Sequence, residues 1–212
     1  VSELTSVNTE PLRAGFFLDY TAVPPSKPAT MKHFRMVRLN QPDKSSTDYE
    51  ASPTADNIRA IAQSNPGSVW LIGNEIDRTR YQDEMMPDAY ARAYHDLYEL
   101  LRQTDPTARI VAGNIVQVSP LRLAYLDKVL AAYRSSYGHP MPIDIWGIHA
   151  FILREKLGEW GAEIPPGINA TEGWLLEPEQ NDDFDLFRQQ IVDFRRWMHR
   201  NGYRDRPLYL TE

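Results

Sequence analysis

Two short apolar runs in this sequence each end on a glutamate. The first, Ser68–Glu75, reads Ser-Val-Trp-Leu-Ile-Gly-Asn-Glu, and the second, Pro207–Glu212, reads Pro-Leu-Tyr-Leu-Thr-Glu. Runs of this kind are typical of buried parallel strands, and the carboxyl ends of such strands are where α/β proteins assemble their chemistry. Glu75 and Glu212 could therefore form a carboxylate pair in which one residue acts as general acid and the other as nucleophile.

Glycoside cleavage is a reaction that needs such a pair. One carboxylic acid protonates the leaving oxygen, and a second carboxylate, roughly 5–5.5 Å away in retaining enzymes, attacks the anomeric carbon. As the acid, Glu75 requires a raised pKa, for which negative charge on Glu212 and desolvation by a bound sugar are the expected causes. The alternative is that both glutamates only cap strands or pair with arginines.

The rest of the chain predicts a parallel sheet that could position these residues. Helical patterns separate most of the apolar runs, which is typical of a parallel sheet. No glycine-rich phosphate loop follows any strand, so a doubly wound nucleotide-binding sheet is disfavoured, and a β/α barrel fits better because several strand ends are polar. The segment 40–53, rich in Asp, Ser and Pro, is predicted to be a loop. Six strands are predicted near residues 14–19, 34–39, 69–74, 109–114, 143–149 and 207–211.

The predicted fold class is α/β, of the (β/α)8 TIM-barrel type, either abbreviated or truncated after the seventh strand. A complete barrel usually needs about 250 residues, whereas this chain has 212. We therefore expect one or two further strands beyond Glu212. Residues 1–12 are polar without a clear period and are interpreted as a leader or linker. Residues 13–212 form the partial catalytic-type barrel domain.

Five further residues are candidates for substrate binding. Asn74 precedes Glu75, and His149 ends the strand near 143–149, where the alternative is a buried, hydrogen-bonding histidine. Asn114 follows the strand near 109–114 and could reach a cleft or form a turn. Trp160 and Trp174 lie in a long connection, residues 151–182, that is more often functional than accidental at this length. They could stack on sugar faces or anchor the loop.

Composition excludes several classes of function. A net charge of −6 argues against a nucleic-acid-binding surface. Cysteine is absent, so there is no thiol nucleophile or thiolate metal site. No His, Asp or Glu spacing indicates a catalytic metal, and no cofactor motif is present. No run approaches the length of a membrane span, and the first residues lack a signal-peptide pattern, so an exported protein would have lost its signal.

The two glutamate motifs, in this order, resemble those of the clan A glycoside hydrolases, retaining enzymes with a (β/α)8 barrel. The run Trp70–Glu75 is similar to the fourth-strand motif of that clan, and the run Pro207–Glu212 is similar to its seventh-strand motif. The resemblance extends over residues 68–212. It implies that Glu75 is the acid/base, that Glu212 is the nucleophile, and that Asn74 binds a sugar 2-hydroxyl group. His149 matches a position that is often polar or aromatic there.

The overall sequence also resembles glycosidase-like proteins that environmental bacteria export. This resemblance implies an oligo- or polysaccharide substrate and an extracellular or cell-surface location. The expected function is hydrolysis of O-glycosidic bonds with retention. The alternative is a non-catalytic carbohydrate-binding or extracellular scaffold protein on the same barrel, including a subunit of an extracellular assembly, because a fold does not fix a function.

Overall fold

The computed structural model describes residues 10–24, 31–80 and 82–212 and shows one sheet flanked by helices. Six of its strands are parallel, in the order β1-β2-β4-β5-β6-β7, and β3 pairs antiparallel with β2. The strands are β1 (Phe16–Leu18), β2 (Lys32–Asn40), β3 (Glu50–Ser52), β4 (Val69–Ile72), β5 (Arg109–Ile115), β6 (Ile145–Ile148) and β7 (Leu208–Leu210).

The parallel sheet is curled into part of a barrel. Three strands separate β2 from β7 in the sheet, yet the ring of Phe34 on β2 stacks on that of Tyr209 on β7, with centroids 5.9 Å apart. Side chains of successive strand residues point to opposite faces of a sheet. On β4, accordingly, Leu71 packs in the inner cluster, whereas Trp70 and Ile72 pack in the large outer core beneath the helices.

Four helices cover the outer face: α1 (Ala55–Ser64), α2 (Pro87–Thr104), α3 (Pro120–Tyr137) and α4 (Phe184–Arg200). Both α2 and α3 begin with proline, whose fixed φ suits the first turn of a helix. The N-terminus of α4 is capped by Asp183, which accepts hydrogen bonds from the backbone of Asp185 and Leu186. Among the described residues, no helix is both long and apolar enough to cross a bilayer.

All six predicted strands are present, because their apolar runs are bounded by turn residues that stop them sharply. One prediction was wrong: the segment 40–53 is not entirely a loop, since Glu50–Ser52 forms β3 against Arg38, Leu39 and Asn40. A three-residue edge strand is too short to show a period. Of the predicted leader, residues 1–9 lie outside the described part of the chain, and Glu10–Leu12 forms one 3₁₀ turn.

The long connection between β6 and α4 is fixed to the barrel by one fully buried arginine, Arg122 on α3. Its Nη1 donates to Asp77 Oδ2 (2.7 Å) in the turn after β4, and its Nε donates to Glu155 Oε1 (2.8 Å) in the connection. Its Nη2 donates to the carbonyls of Ala162 and Glu163. A single guanidinium therefore joins α3, the turn after β4 and the long connection.

Replacing Arg122 should destabilise the whole domain. In Arg122→Met, two buried carboxylates lose their counter-ion, and breaking a buried pair in this way typically costs about 3–5 kcal/mol of unfolding free energy. Urea denaturation followed by circular dichroism measures the change. The matched control is Arg134→Met on the same helix, an exposed residue for which we expect a change within about 0.5 kcal/mol. Equal losses in the two variants would contradict the role given to Arg122.

Candidate active site

A sharp turn after β4 directs Glu75 into the carboxyl end of the sheet. Gly73 and Glu75 have φ values of +84° and +44°, and a Cβ on Gly73 would lie 2.4 Å from the Ile76 side chain. The positive φ at Gly73 and this lack of space both favour glycine. The backbone N–H of Glu75 donates to the carbonyl of Asn114 on β5 (2.8 Å), which fixes the turn. As a result the Glu75 side chain is buried at the rim of the barrel.

The imidazole of His149, directly after β6, lies between the two glutamates. Its Nδ1 is 3.2 Å from Glu75 Oε1, and its Nε2 is 3.5 Å from Glu212 Oε1. One ligand atom from each of the three residues lies within 4.8 Å of the other two. His149 and Glu75 are buried, whereas the Glu212 side chain is 18% exposed. The structure thus brings both glutamates and His149 together at one rim, with Glu212 the most accessible.

The pKa of Glu75 lies below its ordinary value of 4.5, contrary to the rise predicted from the sequence. Burial raises this pKa, but the hydrogen bonds with His149 and Arg78 and the positive charge of Arg78 together lower it by a larger amount. The Arg78 Nη1 donates to Glu75 Oε2 (2.9 Å), and its Nη2 donates to the carbonyl of Gly161 in the long connection (3.2 Å). In this state Glu75 is therefore a carboxylate.

Tyr20, two residues after β1, adds a phenol to the site. Burial, together with the negative charge of Glu212 and a hydrogen bond to it, raises the pKa of Tyr20 to about 12. At neutral pH the hydroxyl group is therefore protonated and can donate to the Glu212 carboxylate. Tyr20 is 45% exposed, so its side chain contacts both solvent and Glu212.

The amide of Asn74 is held beside Glu75 by a polar cluster. Its backbone N–H donates to Asp83 Oδ2 (2.8 Å), and its Nδ2 donates to Gln82 Oε1 (2.9 Å). Asp83 also accepts a hydrogen bond from Arg38 Nε (2.6 Å). Asn74 Oδ1 is buried and has no hydrogen-bond partner among the described residues. Asn74 therefore keeps one free acceptor at the rim.

A cleft of about 350 Å³ opens beside His149 and Glu212. Its wall includes Phe151, which is 38% exposed, and Phe184, which is 71% exposed. The Phe151 ring meets the His149 ring edge-on, with centroids 5.9 Å apart. An exposed aromatic face next to a carboxylate can bind a planar apolar ligand surface, and the CH-rich face of a sugar ring is one such surface.

Two predicted substrate contacts lie elsewhere. Asn114 is fully buried; its Nδ2 donates to the Gly73 carbonyl (3.0 Å), and its Oδ1 accepts from Thr211 Oγ1 (3.3 Å). Its amide thus links β4, β5 and β7 at the rim, which agrees with the alternative of a turn-forming role for Asn114. Trp174 lines a groove between α3 and α4 and is bonded through its backbone to Glu155. It anchors the long connection instead of facing the cleft.

Trp160 remains compatible with the sequence prediction. Its side chain is 42% exposed in the long connection, and it directly precedes Gly161, whose carbonyl accepts a hydrogen bond from Arg78. Trp160 therefore lies on the loop segment that contacts Arg78, the ion-pair partner of Glu75. Its exposed ring could stack on a ligand, and the sugar-stacking role of Trp160 stays a prediction.

Sequence reasoning missed four residues of the site. Tyr20 and Arg78 follow strand ends by two and six residues, and such positions are the only sequence signal that could have indicated them. Phe151 and Phe184 lie at the two ends of the long connection, and only the curling of the sheet and the packing of α4 bring them to one cleft.

The structure is similar to solved structures of barrel glycosidases. One is a curdlan-specific exo-β-1,3-glucanase of glycoside hydrolase family 128 (subgroup III) from Blastomyces gilchristii, with a TM-score of 0.51 at 17% identity, covering 89% of this chain and 62% of that enzyme. A second is a monomeric β-xylosidase from Caulobacter crescentus, with a TM-score of 0.48 at 16% identity, covering 86% of this chain and 37% of that enzyme. A third is a glycoside hydrolase family 39 enzyme from Xanthomonas axonopodis pv. citri, with a TM-score of 0.43 at 18% identity, covering 76% of this chain and 29% of that enzyme.

The similarity to the exo-β-1,3-glucanase, with its TM-score of 0.51, shows the fold. The chain spans less than two thirds of the length of each of these enzymes. No family model matches the sequence, and no curated protein matches it. The predicted α/β barrel type, and the resemblance to barrel glycosidases at the level of fold, are confirmed by the match to the exo-β-1,3-glucanase.

Removing Arg78 should raise the pKa of Glu75 and cost stability in a pH-dependent way. Since the folded-state pKa of Glu75 is lowered, its ionisation contributes stability above the ordinary value of 4.5, and this contribution is lost as the pH falls through the folded-state pKa. In Arg78→Gln we expect a loss of roughly 1.5–3 kcal/mol at pH 7, the range for hydrogen bonds to charged groups. The loss should shrink below pH 4.5.

Urea denaturation between pH 7 and pH 3 measures this difference, and ¹³C NMR of the Glu75 carboxyl group reports its pKa directly. The control is Arg80→Gln in the same loop, whose ion pair with Glu163 is farther from Glu75 in the chain and more exposed. An unchanged Glu75 titration in Arg78→Gln would show that Arg78 does not set its ionisation.

Proposed function

We propose that this protein is a glycoside hydrolase that cleaves O-glycosidic bonds with retention, Glu212 acting as nucleophile and Glu75 as acid/base. The observation that carries the proposal is the convergence of two strand-end carboxylates at one rim. One carboxylate oxygen of Glu75 lies within 4.8 Å of one carboxylate oxygen of Glu212. Inverting enzymes separate the two carboxyl groups by roughly 6.5–9.5 Å to admit a water molecule. This short separation supports direct attack.

In the first step, an oxygen of Glu212 attacks the anomeric carbon while Glu75 gives its proton to the leaving oxygen. The glycosyl ester that forms removes the negative charge of Glu212. In the second step, the Glu75 carboxylate takes a proton from water, the hydroxide attacks the anomeric carbon, and Glu212 leaves as a carboxylate. Tyr20 would orient Glu212, and the free Oδ1 of Asn74 would accept a hydrogen bond from a sugar hydroxyl group.

His149 fits this cycle as a neutral bridge. While Glu75 is ionised, it accepts Nδ1–H of His149; once Glu75 is protonated, the proton of His149 lies on Nε2 and is donated toward Glu212, so that Nδ1 accepts a hydrogen bond from Glu75. This tautomer favours the protonation states that the first step needs. Displacement of Arg78 by substrate would remove the charge that lowers the pKa of Glu75, and burial by the sugar would raise that pKa further.

The substrate class proposed is an oligo- or polysaccharide, and the proposed site of action is outside the cell or at its surface. The exposed aromatic residues Phe151, Phe184 and Trp160 support saccharide binding. The exo-β-1,3-glucanase with the same fold makes β-1,3-glucan a reasonable first substrate to test. Detection of the full-length protein in the culture medium or on intact cells would test the location.

A second candidate is a non-catalytic saccharide-binding protein on the same barrel. It is favoured by the ion pair between Arg78 and Glu75, which holds the proposed acid in its ionised form. The two candidates share the cleft but differ in whether Glu212 ever forms a covalent bond.

Covalent trapping separates the two candidates. Full-length protein incubated with a panel of 2-fluoroglycosides should gain one glycosyl mass on a peptide containing Glu212, as seen by mass spectrometry. Glu212→Gln should remain unlabelled and hydrolyse none of the matching aryl glycosides, because an amide cannot act as nucleophile. The control Glu99→Gln, an exposed residue of α2, should label normally. Labelling at another residue, or at none with every sugar, would reject the retaining mechanism.

The variant Glu75→Gln should keep saccharide binding but lose turnover by about 10²–10⁴-fold, the usual contribution of a general acid. The loss should be smaller for aryl glycosides with good leaving groups, because their leaving oxygen needs less protonation. Steady-state kinetics on two aryl glycosides of different leaving-group pKa would measure this dependence. Equal turnover of parent and variant on the poorer leaving group would remove Glu75 from the acid role.

A further inference from the structure

The cluster formed by Glu75, His149 and Glu212 has the composition of a metal site as well as that of a glycosidase pair. We call it the carboxylate–imidazole cluster. Its members are far apart in the sequence, which is why no metal-ligand spacing is visible there. In the structure one possible ligand atom from each lies within 4.8 Å of the others. Imidazole nitrogen combined with carboxylate oxygen is a donor set that Zn²⁺ favours.

The Nε2 atom of His149 is a second, independent observation that points to a ligand site. This atom is buried and makes no hydrogen bond within the described part of the chain. Its distance to Glu212 Oε1 is 3.5 Å, too long for a good hydrogen bond. Buried polar atoms usually have partners. The Nε2 atom is thus directed at the cluster and remains available there.

The other face of the same ring is already oriented as in metal-binding histidines. Nδ1 is 3.2 Å from Glu75 Oε1, and a carboxylate that accepts Nδ1–H fixes the tautomer with the Nε2 lone pair free. Arg78 pairs with Glu75 Oε2 (2.9 Å), whereas His149 Nδ1 lies beside Glu75 Oε1. Among the described residues no arginine or lysine forms an ion pair with Glu212, so a cation beside Glu212 would reduce the negative charge of the cluster.

We propose that the carboxylate–imidazole cluster binds Zn²⁺, with His149 Nε2 and Glu212 as ligands and Glu75 orienting the imidazole. The ion would occupy the space in which the anomeric carbon must lie, so Zn²⁺ and saccharide exclude one another. Zn²⁺ is then a reversible inhibitor of the catalytic pair. The inhibition rests on the proposed glycosidase function, whereas the binding does not.

Thermal unfolding of the full-length protein tests the binding without any substrate. At a hundredfold excess over its dissociation constant, Zn²⁺ should raise the unfolding midpoint by roughly 5–10 °C. Mg²⁺, which prefers all-oxygen octahedral sites, should give no comparable shift. Isothermal titration calorimetry should give about one Zn²⁺ per chain. Absence of a Zn²⁺-dependent shift would overturn the proposal.

Variants locate the ion. His149→Gln and Glu212→Gln should each lose the Zn²⁺-dependent shift, and Glu212→Gln guards against a folding defect in the first because Glu212 is the more exposed residue. His139→Gln is the matched control and should keep the shift, because His139 is an exposed histidine whose Nδ1 lies 3.0 Å from the Pro140 carbonyl and whose ring meets Tyr133 edge-on. A shift that survives in both cluster variants, or that disappears in the control, would place the ion elsewhere and reject the site.

The outcomes separate binding from catalysis. If Zn²⁺ binds but no fluoroglycoside labels Glu212, the metal-site proposal is supported and the glycosidase proposal is rejected. If aryl glycosides are hydrolysed and Zn²⁺ neither binds nor inhibits, the glycosidase proposal is supported and the metal-site proposal is rejected. When both hold, Zn²⁺ inhibition should be competitive with substrate and reversed by chelation.

Discussion

The buried guanidinium of Arg122 is the constraint on which the rest of the rim depends. Its hydrogen bonds reach Asp77 and Glu155, both of which are themselves fully buried. Burial raises the pKa of Asp77, and the charge of Arg122 opposes that rise. Such a group is costly to bury and still more costly to break. The turn after β4 and the long connection are therefore fixed relative to α3 as one unit.

This fixed unit is what allows Glu75 to adopt its turn. Asp77, bonded to Arg122 and to the backbone of Val116, holds the turn from one side. Asp83 holds it from the other, accepting from the backbone N–H groups of Asn74 and Leu39. Between these two carboxylates the backbone at Glu75 keeps its positive φ. The geometry of the turn at Glu75 thus follows from two buried aspartates, Asp77 and Asp83.

Much of the fold and the core of the site could be predicted from the sequence because they depend on local signals. Apolar runs fixed the strands, and glutamates at the ends of parallel strands had to meet at one edge. The location of Trp174 could not be predicted, because long-range bonds to Glu155 set the path of its loop. The lowered pKa of Glu75 could not be predicted either, since the position of Arg78 depends on how the turn after β4 folds back.

The lowered pKa of Glu75 connects the two uses proposed for the cluster. Burial alone would favour the protonated acid, which glycoside cleavage requires, whereas the charge of Arg78 favours the carboxylate, which a cation requires. Arg78 also donates to Gly161, so any movement of the long connection changes the hydrogen-bonding geometry of Arg78. In the proposed hydrolase, a saccharide that displaced the Arg78 side chain would break its ion pair with Glu75, and burial would then raise the pKa of Glu75. The protonation state of Glu75 would then depend on the contacts that Arg78 makes.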